Sequence, residues 1–140
     1  MKVLILLILS TFLFGCFQNK SETPKQRFDI FIRAIQSNQI ETIEKCLNQG
    51  TYEYLQANAG VFDPEETFIK RLIKDTKKSN PSYLSTEWIL RNKIAKVNYT
   101  YLHNKKDFLY MEKKEKQWHI NLFQKEKYKA AELSKFQVKK

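Results

Sequence analysis

Apolar and polar positions follow two periods along this chain, and the change falls near Tyr83. Before it, apolar residues recur three and four apart, as on one face of a helix. Phe28, Phe31, Ile32 and Ile35 form the first such stripe. Thr23 supplies a cap, Pro24 suits the first helical position, and Gln26 completes a capping box. Ser37-Asn38 breaks the run. Asn38 then caps a second helix, with Glu41 three residues on, a stripe of Ile40, Ile43 and Leu47, and Gly50 as its stop. Tyr52 and Tyr54-Leu55 predict a short third segment, and Asn58-Ala59-Gly60 a loop. Asp63-Pro64-Glu65-Glu66 opens the next helix with a cap, a Pro and acid suited to the helix dipole. Phe68, Ile69, Leu72 and Ile73 are its buried stripe, and Ser79-Asn80-Pro81 ends it.

From Tyr83 the period is two. Tyr83–Leu90 predicts a strand. In Ile94–His103, Ala95, Val97, Tyr99 and Tyr101 share one face, while Lys96, Asn98 and Thr100 share the other. Phe108–Lys113 and Gln117–Phe123 are two more strands, the last with Trp118, Ile120 and Leu122 on one face. Short polar turns at residues 104–107 and 114–116 predict an antiparallel meander. Helices first and strands afterwards mean an α+β domain, with N-terminal helices packed on a curved antiparallel sheet of about four strands. Lys125–Lys140 reads as a basic tail, partly helical around Tyr128–Phe136.

The first sixteen residues follow neither period. A basic start, Met1-Lys2, precedes an apolar run of 12 residues, Val3–Phe14, interrupted by Ser10 and Thr11. A spanning helix needs about 20 residues, so the length suits a secretory signal instead. The run closes on Leu13-Phe14-Gly15-Cys16. This resembles the lipobox of bacterial lipoproteins, with Leu at −3, a small residue at −1 and Cys at +1. Phe14 departs from the small or medium residue usual at −2. The resemblance implies cleavage after residue 15 and lipidation of Cys16, with two or three acyl chains as a lasting anchor. It implies a cell-envelope location, in the outer membrane if the cell has two, because no Asp follows Cys16. Phe17–Glu22 is mostly polar and predicts a tether.

A second resemblance concerns the domain. Phe31-Ile32-Arg33-Ala34-Ile35 opening a helix–turn–helix, and Lys116-Gln117-Trp118-His119-Ile120-Asn121-Leu122 closing the sheet, resemble the NTF2-like (cystatin-like) cone of small secreted lipoproteins. Residues 34–50 also look like the helical part of one ankyrin repeat. No second copy follows at a period near ~33, and one repeat cannot bury its own face.

Composition adds charge and removes several chemistries. The 140 residues carry a net +10, or +9 once residues 1–15 are gone. Residues 100–140 contribute +6 of this. Such a surface attracts anionic headgroups or acidic polysaccharide; nucleic acid is not an expected partner of an envelope protein. With Cys16 lipidated, Cys46 is the remaining thiol, on an apolar helix stripe where cysteine is inert. Two His and one thiol give no zinc pattern, and with 3 Gly no phosphate-cradling loop is present. No cofactor is implied. NTF2-like enzymes move protons with carboxylates, His or Tyr inside the cone, so that resemblance nominates His119 for catalysis. The aromatic residues Tyr99, Tyr101, Tyr110 and Trp118 are the binding candidates, although alternating aromatics are also how a sheet buries a face.

The chain therefore divides into a signal peptide (1–15), a tether (16–23), an α+β domain (24–124) and a basic tail (125–140). The reading is a membrane-anchored envelope lipoprotein serving as a non-catalytic binding or structural module. Its partner would be an envelope protein, a small apolar ligand or a polyanion. The alternatives are a cone-pocket acid–base enzyme and a surface adhesin for polyanions.

Overall fold

A computed structural model of the chain describes residues 21–57, 67–122 and 128. Helix α1 (Pro24–Gln36) begins as its sequence requires. The Thr23 hydroxyl accepts from the Gln26 amide (3.2 Å), and the Gln26 side chain accepts from the Thr23 amide (2.8 Å). Two otherwise orphaned donors are thereby satisfied. The helix buries Phe28, Phe31, Ala34 and Ile35.

Helix α2 (Ile40–Cys46) departs from expectation at both ends. Gln39 holds the cap position without a side-chain bond, and Asn38 lies one residue earlier at φ 55°. The tight reversal after α1 needs a left-handed residue, which Asn tolerates, and this use displaces capping. Ile40 is 46% exposed, so the buried stripe is Ile43, Cys46 and Leu47. The helix also stops before Gly50. Leu47 turns extended and bridges Ile120, and the Asn48 amide donates to the Ile120 carbonyl (2.9 Å). Asn48 then starts helix α3 (Gln49–Ala57), its side-chain oxygen accepting from the Thr51 amide (2.8 Å). Gly50 lies in the first turn of α3 rather than at the end of α2.

The Asn58-Ala59-Gly60 loop and the Asp63-Pro64-Glu65-Glu66 helix start lie outside the described residues. Helix α4 (Phe68–Ser79) is capped by the Thr67 hydroxyl and buries Ile69 and Ile73. It ends at Asn80, at φ 45° just before Pro81. Lys77 and Lys78 fall in its last turn, where positive charge suits the dipole.

Strands β1 (Ser82–Leu90), β2 (Ile94–Tyr101), β3 (Lys105–Lys114) and β4 (Gln117–Asn121) form one antiparallel meander in sequence order. Val97 pairs with Leu109, and Met111 with Ile120, so one face presents a continuous apolar strip. The main core joins this strip to Phe28, Phe31, Ile35, Ile43 and Leu55. Side chains of the two edge strands meet over the sheet. The rings of Trp88 on β1 and Trp118 on β4 lie 5.7 Å apart, across two intervening strands. A flat sheet would hold those strands roughly 14 Å apart. Ala95, opposite Trp88, keeps the intervening space open.

A second, smaller core lies on the other face. Ile89, Tyr110 and Tyr128 are buried together there, with Ile94 and Phe108 against them. Tyr128 thus belongs to the packed domain, although the sequence places it in the basic tail.

Candidate functional site

Cys16 lies outside the described residues. Five positions later the chain is already part of the fold, because Ser21 accepts a hydrogen bond from Lys113. Glu22 is held more firmly. Its carboxylate takes both the Nε (3.0 Å) and Nη2 (2.9 Å) of Arg27 and the backbone amide of Trp118 (3.1 Å). Its carbonyl accepts from the Trp118 indole N–H (2.8 Å). All three donors converge on one oxygen, Oε2, in charge-assisted bonds, and the Arg27 side chain is only 8% exposed. Arg27 also donates to the Cys46 sulfur (3.6 Å). Burial nevertheless pushes the Cys46 thiol up, against the opposing effect of Arg27, which leaves it a poor nucleophile.

Beside this clamp, at the outer edge of β4, lies a cleft of about 420 Å³. Arg27, Lys45, Lys114, Gln117 and His119 line it, with Glu44 as its acidic member. His119 is half-buried, and among the described residues its Nδ1 is a buried side-chain atom without a hydrogen-bond partner. Burial lowers the imidazole pKa, and the charges of Arg27 and Lys114 lower it further. The ring is therefore neutral at neutral pH and sits in positive surroundings. The cross-strand partner of His119 is Glu112, whose charge opposes that lowering without reversing it. One of its oxygens accepts from Asn48 (3.0 Å), the other from the Tyr128 hydroxyl (2.9 Å).

The aromatic candidates separate. Tyr99 packs on Phe28, with ring centres 5.8 Å apart, and its hydroxyl donates to Asp107 (3.4 Å). Burial, with Asp107 close by, pushes this phenol up to about 12. Tyr101 sits next to it at the end of β2, half-exposed. Tyr110 is on the opposite face, stacked on Tyr128 at 4.9 Å. Trp118 is on the helix side, at the other end of the sheet from Tyr101. Four positions on two faces and two ends make no common pocket. The concave face itself is filled by α1 side chains.

Two more cavities flank the helices. An open cleft of about 540 Å³ lies between α1 and the start of β1, beside Phe28, Asp29 and Tyr83. An apolar one of about 260 Å³ is bounded by Tyr52, Leu55, Phe68 and Ile69. Among the described residues no group of three His, Cys, Asp or Glu could hold a metal ion, and no helix is long and apolar enough to cross a membrane.

Glu22, Arg27 and Tyr128 escaped the sequence reading as site residues. Glu22 sits in a polar run, and Arg27 interrupts a helix stripe. Tyr128 had one signal, a lone aromatic within a Lys-rich stretch. Comparison with protein-family models, curated proteins and solved structures finds no match to this chain.

Proposed function

We propose that this chain is a bacterial envelope lipoprotein. Residues 1–15 direct export, Cys16 carries the acyl chains, and the α+β domain is a non-catalytic binding or structural module held at the membrane. The sequence Leu13-Phe14-Gly15-Cys16 after a short apolar run is the observation that carries this reading. The clamp on Glu22 supports it, because it ties the emerging chain to the domain six residues after the anchor. Helices followed by an antiparallel meander, with Trp118 and Ile120 buried on the last strand, support an NTF2-like or cystatin-like cone. In a cell with two membranes, the outer one is the proposed location.

Mass spectrometry of the protein purified from its own cells tests the anchor. The expected result is a chain starting at Cys16, with acyl mass on that residue. A chain that keeps residues 1–15 and an unmodified Cys16 overturns the proposal.

A second reading, acid–base chemistry at His119, draws on the unpartnered Nδ1 in the cationic cleft. It requires His119 to respond to a bound acid. Ring chemical shifts that stay fixed across a panel of small carboxylates and phosphates refute it.

A further inference from the structure

We infer that one end of the domain, the end carrying the β1–β2 and β3–β4 turns, is a built membrane-contact face for anionic lipid. This rests on the anchor at Cys16 proposed above and adds which surface meets the bilayer.

The argument begins with reach. Ser21 is five steps along the chain from Cys16, and a fully extended chain covers at most about 3.6 Å per step. Ser21 therefore stays within about 18 Å of the anchoring sulfur's residue. Ser21 and Glu22 are fixed at one end of the sheet, to Lys113 and Trp118. Strand β3 runs from there for 10 residues, about 30 Å, to Lys105 at the far end. The tether is too short for the domain to stand on its far end, because that would lift Ser21 about 30 Å from the bilayer.

The near end has the chemistry a lipid surface selects. Arg91 and Lys93 lie in and beside the β1–β2 turn, and Lys114 and Lys116 flank the β3–β4 turn, all exposed. The two turns are joined by a hydrogen bond from the Lys113 amide to the Lys93 carbonyl (2.8 Å), so the four cations share one end. Glu115 is the exposed acid among them. Two large apolar side chains stand beside the cations. Trp88 is 45% exposed and Leu90 is 48% exposed. Tryptophan at a basic rim suits the bilayer interface, where its ring is apolar and its N–H is wet.

Charge alone does not choose this end. Lys77, Lys78, Lys105 and Lys106 make the far end basic too. The position of Ser21 decides between them, and the far end becomes the control.

The test uses the mature acylated protein in vesicles, with lipids brominated near the headgroup as quenchers of tryptophan emission. Vesicles of phosphatidylcholine alone are compared with vesicles one third phosphatidylglycerol. The expected result is at least a twofold stronger quenching in the anionic vesicles. It should be lost at about 1 M salt, where charge acts over only about 3 Å. Trp88→Phe should abolish most of it, since Trp118 is buried. Lys93→Glu with Lys116→Glu should lower it at least twofold, and Lys105→Glu with Lys106→Glu should leave it unchanged. Because these charge reversals are at exposed positions, they test the face even if Trp88→Phe fails to fold.

Acylated protein with equal quenching in both vesicles, or with equal sensitivity to both pairs of reversals, overturns the face and leaves the anchor standing. Protein that carries no acyl mass on Cys16 when purified from its own cells, yet sediments with anionic vesicles and shows Trp88 quenching, sustains the face and overturns the anchor. Protein that binds an acidic polysaccharide through Lys93 and Lys116, and shows no quenching in vesicles, overturns the lipid assignment.

Discussion

Replacing Tyr128 by Phe removes one oxygen and leaves the ring stacked on Tyr110. That oxygen donates to the Glu112 carboxylate (2.9 Å) and accepts from Asn121 (3.0 Å). Tyr128 is 1% exposed and Asn121 is 2% exposed, so water cannot readily replace the lost partner. A hydrogen bond to a charged group contributes about 1.5–3 kcal/mol, and a neutral one about 1 kcal/mol. Glu112 keeps its bond from Asn48, which softens the loss. The expected destabilisation is therefore about 2–3 kcal/mol. At about 4–8 °C per kcal/mol for a domain near 100 residues, Tm should fall by roughly 10 °C or more. Urea unfolding with an unchanged m-value is the assay, because the same surface is exposed in both variants. A loss below about 0.5 kcal/mol, typical of an exposed side chain, would refute the reasoning. It would mean that the Tyr128 hydroxyl does not join Glu112 to Asn121.

Other expectations follow from the same contacts. Glu22→Gln leaves Arg27 buried without its carboxylate and should cost about 3 kcal/mol or more, measured by urea unfolding; a neutral change would deny the clamp. His119 has a lowered pKa in the fold, so the unfolded chain takes its proton first as pH falls. The stability it contributes is present above about pH 6.5 and declines below it, and His119→Gln should flatten that acid slope in pH-dependent melting. Tyr99 has a raised pKa of about 12 against 10.0 for an ordinary phenol, so its contribution is complete below pH 10 and is lost between pH 10 and about 12. Tyr99→Phe should remove that alkaline loss, followed by absorbance of the phenolate. Cys46 is 0% exposed, so a thiol reagent should react with it only after denaturant is added. Rapid reaction of the native protein would contradict its burial.

Local signals specified much of this protein. The Thr23-Pro24-Gln26 cap, the buried stripe of α1 and the antiparallel strands each depend on near neighbours, and each is realised. The α+β order follows from them, because each element has one apolar side to cover. The anchor proposed at Cys16 also rests on a run of adjacent residues, which lie outside the described residues. Tertiary structure decided what depends on distant partners. Helix α2 ends at Cys46 because Leu47 and Asn48 bond to Ile120, some 70 positions away, and no local feature announces that. Ile40 fits a helical stripe in sequence and yet is exposed, since nothing in the packed fold covers it fully. Glu22 is a tether residue until Trp118 is placed beside it, and Tyr128 a tail residue until Glu112 and Asn121 face it. The polar residues that join distant segments carry no period, so their roles emerge only when the fold brings Glu22 and Tyr128 onto β3 and β4.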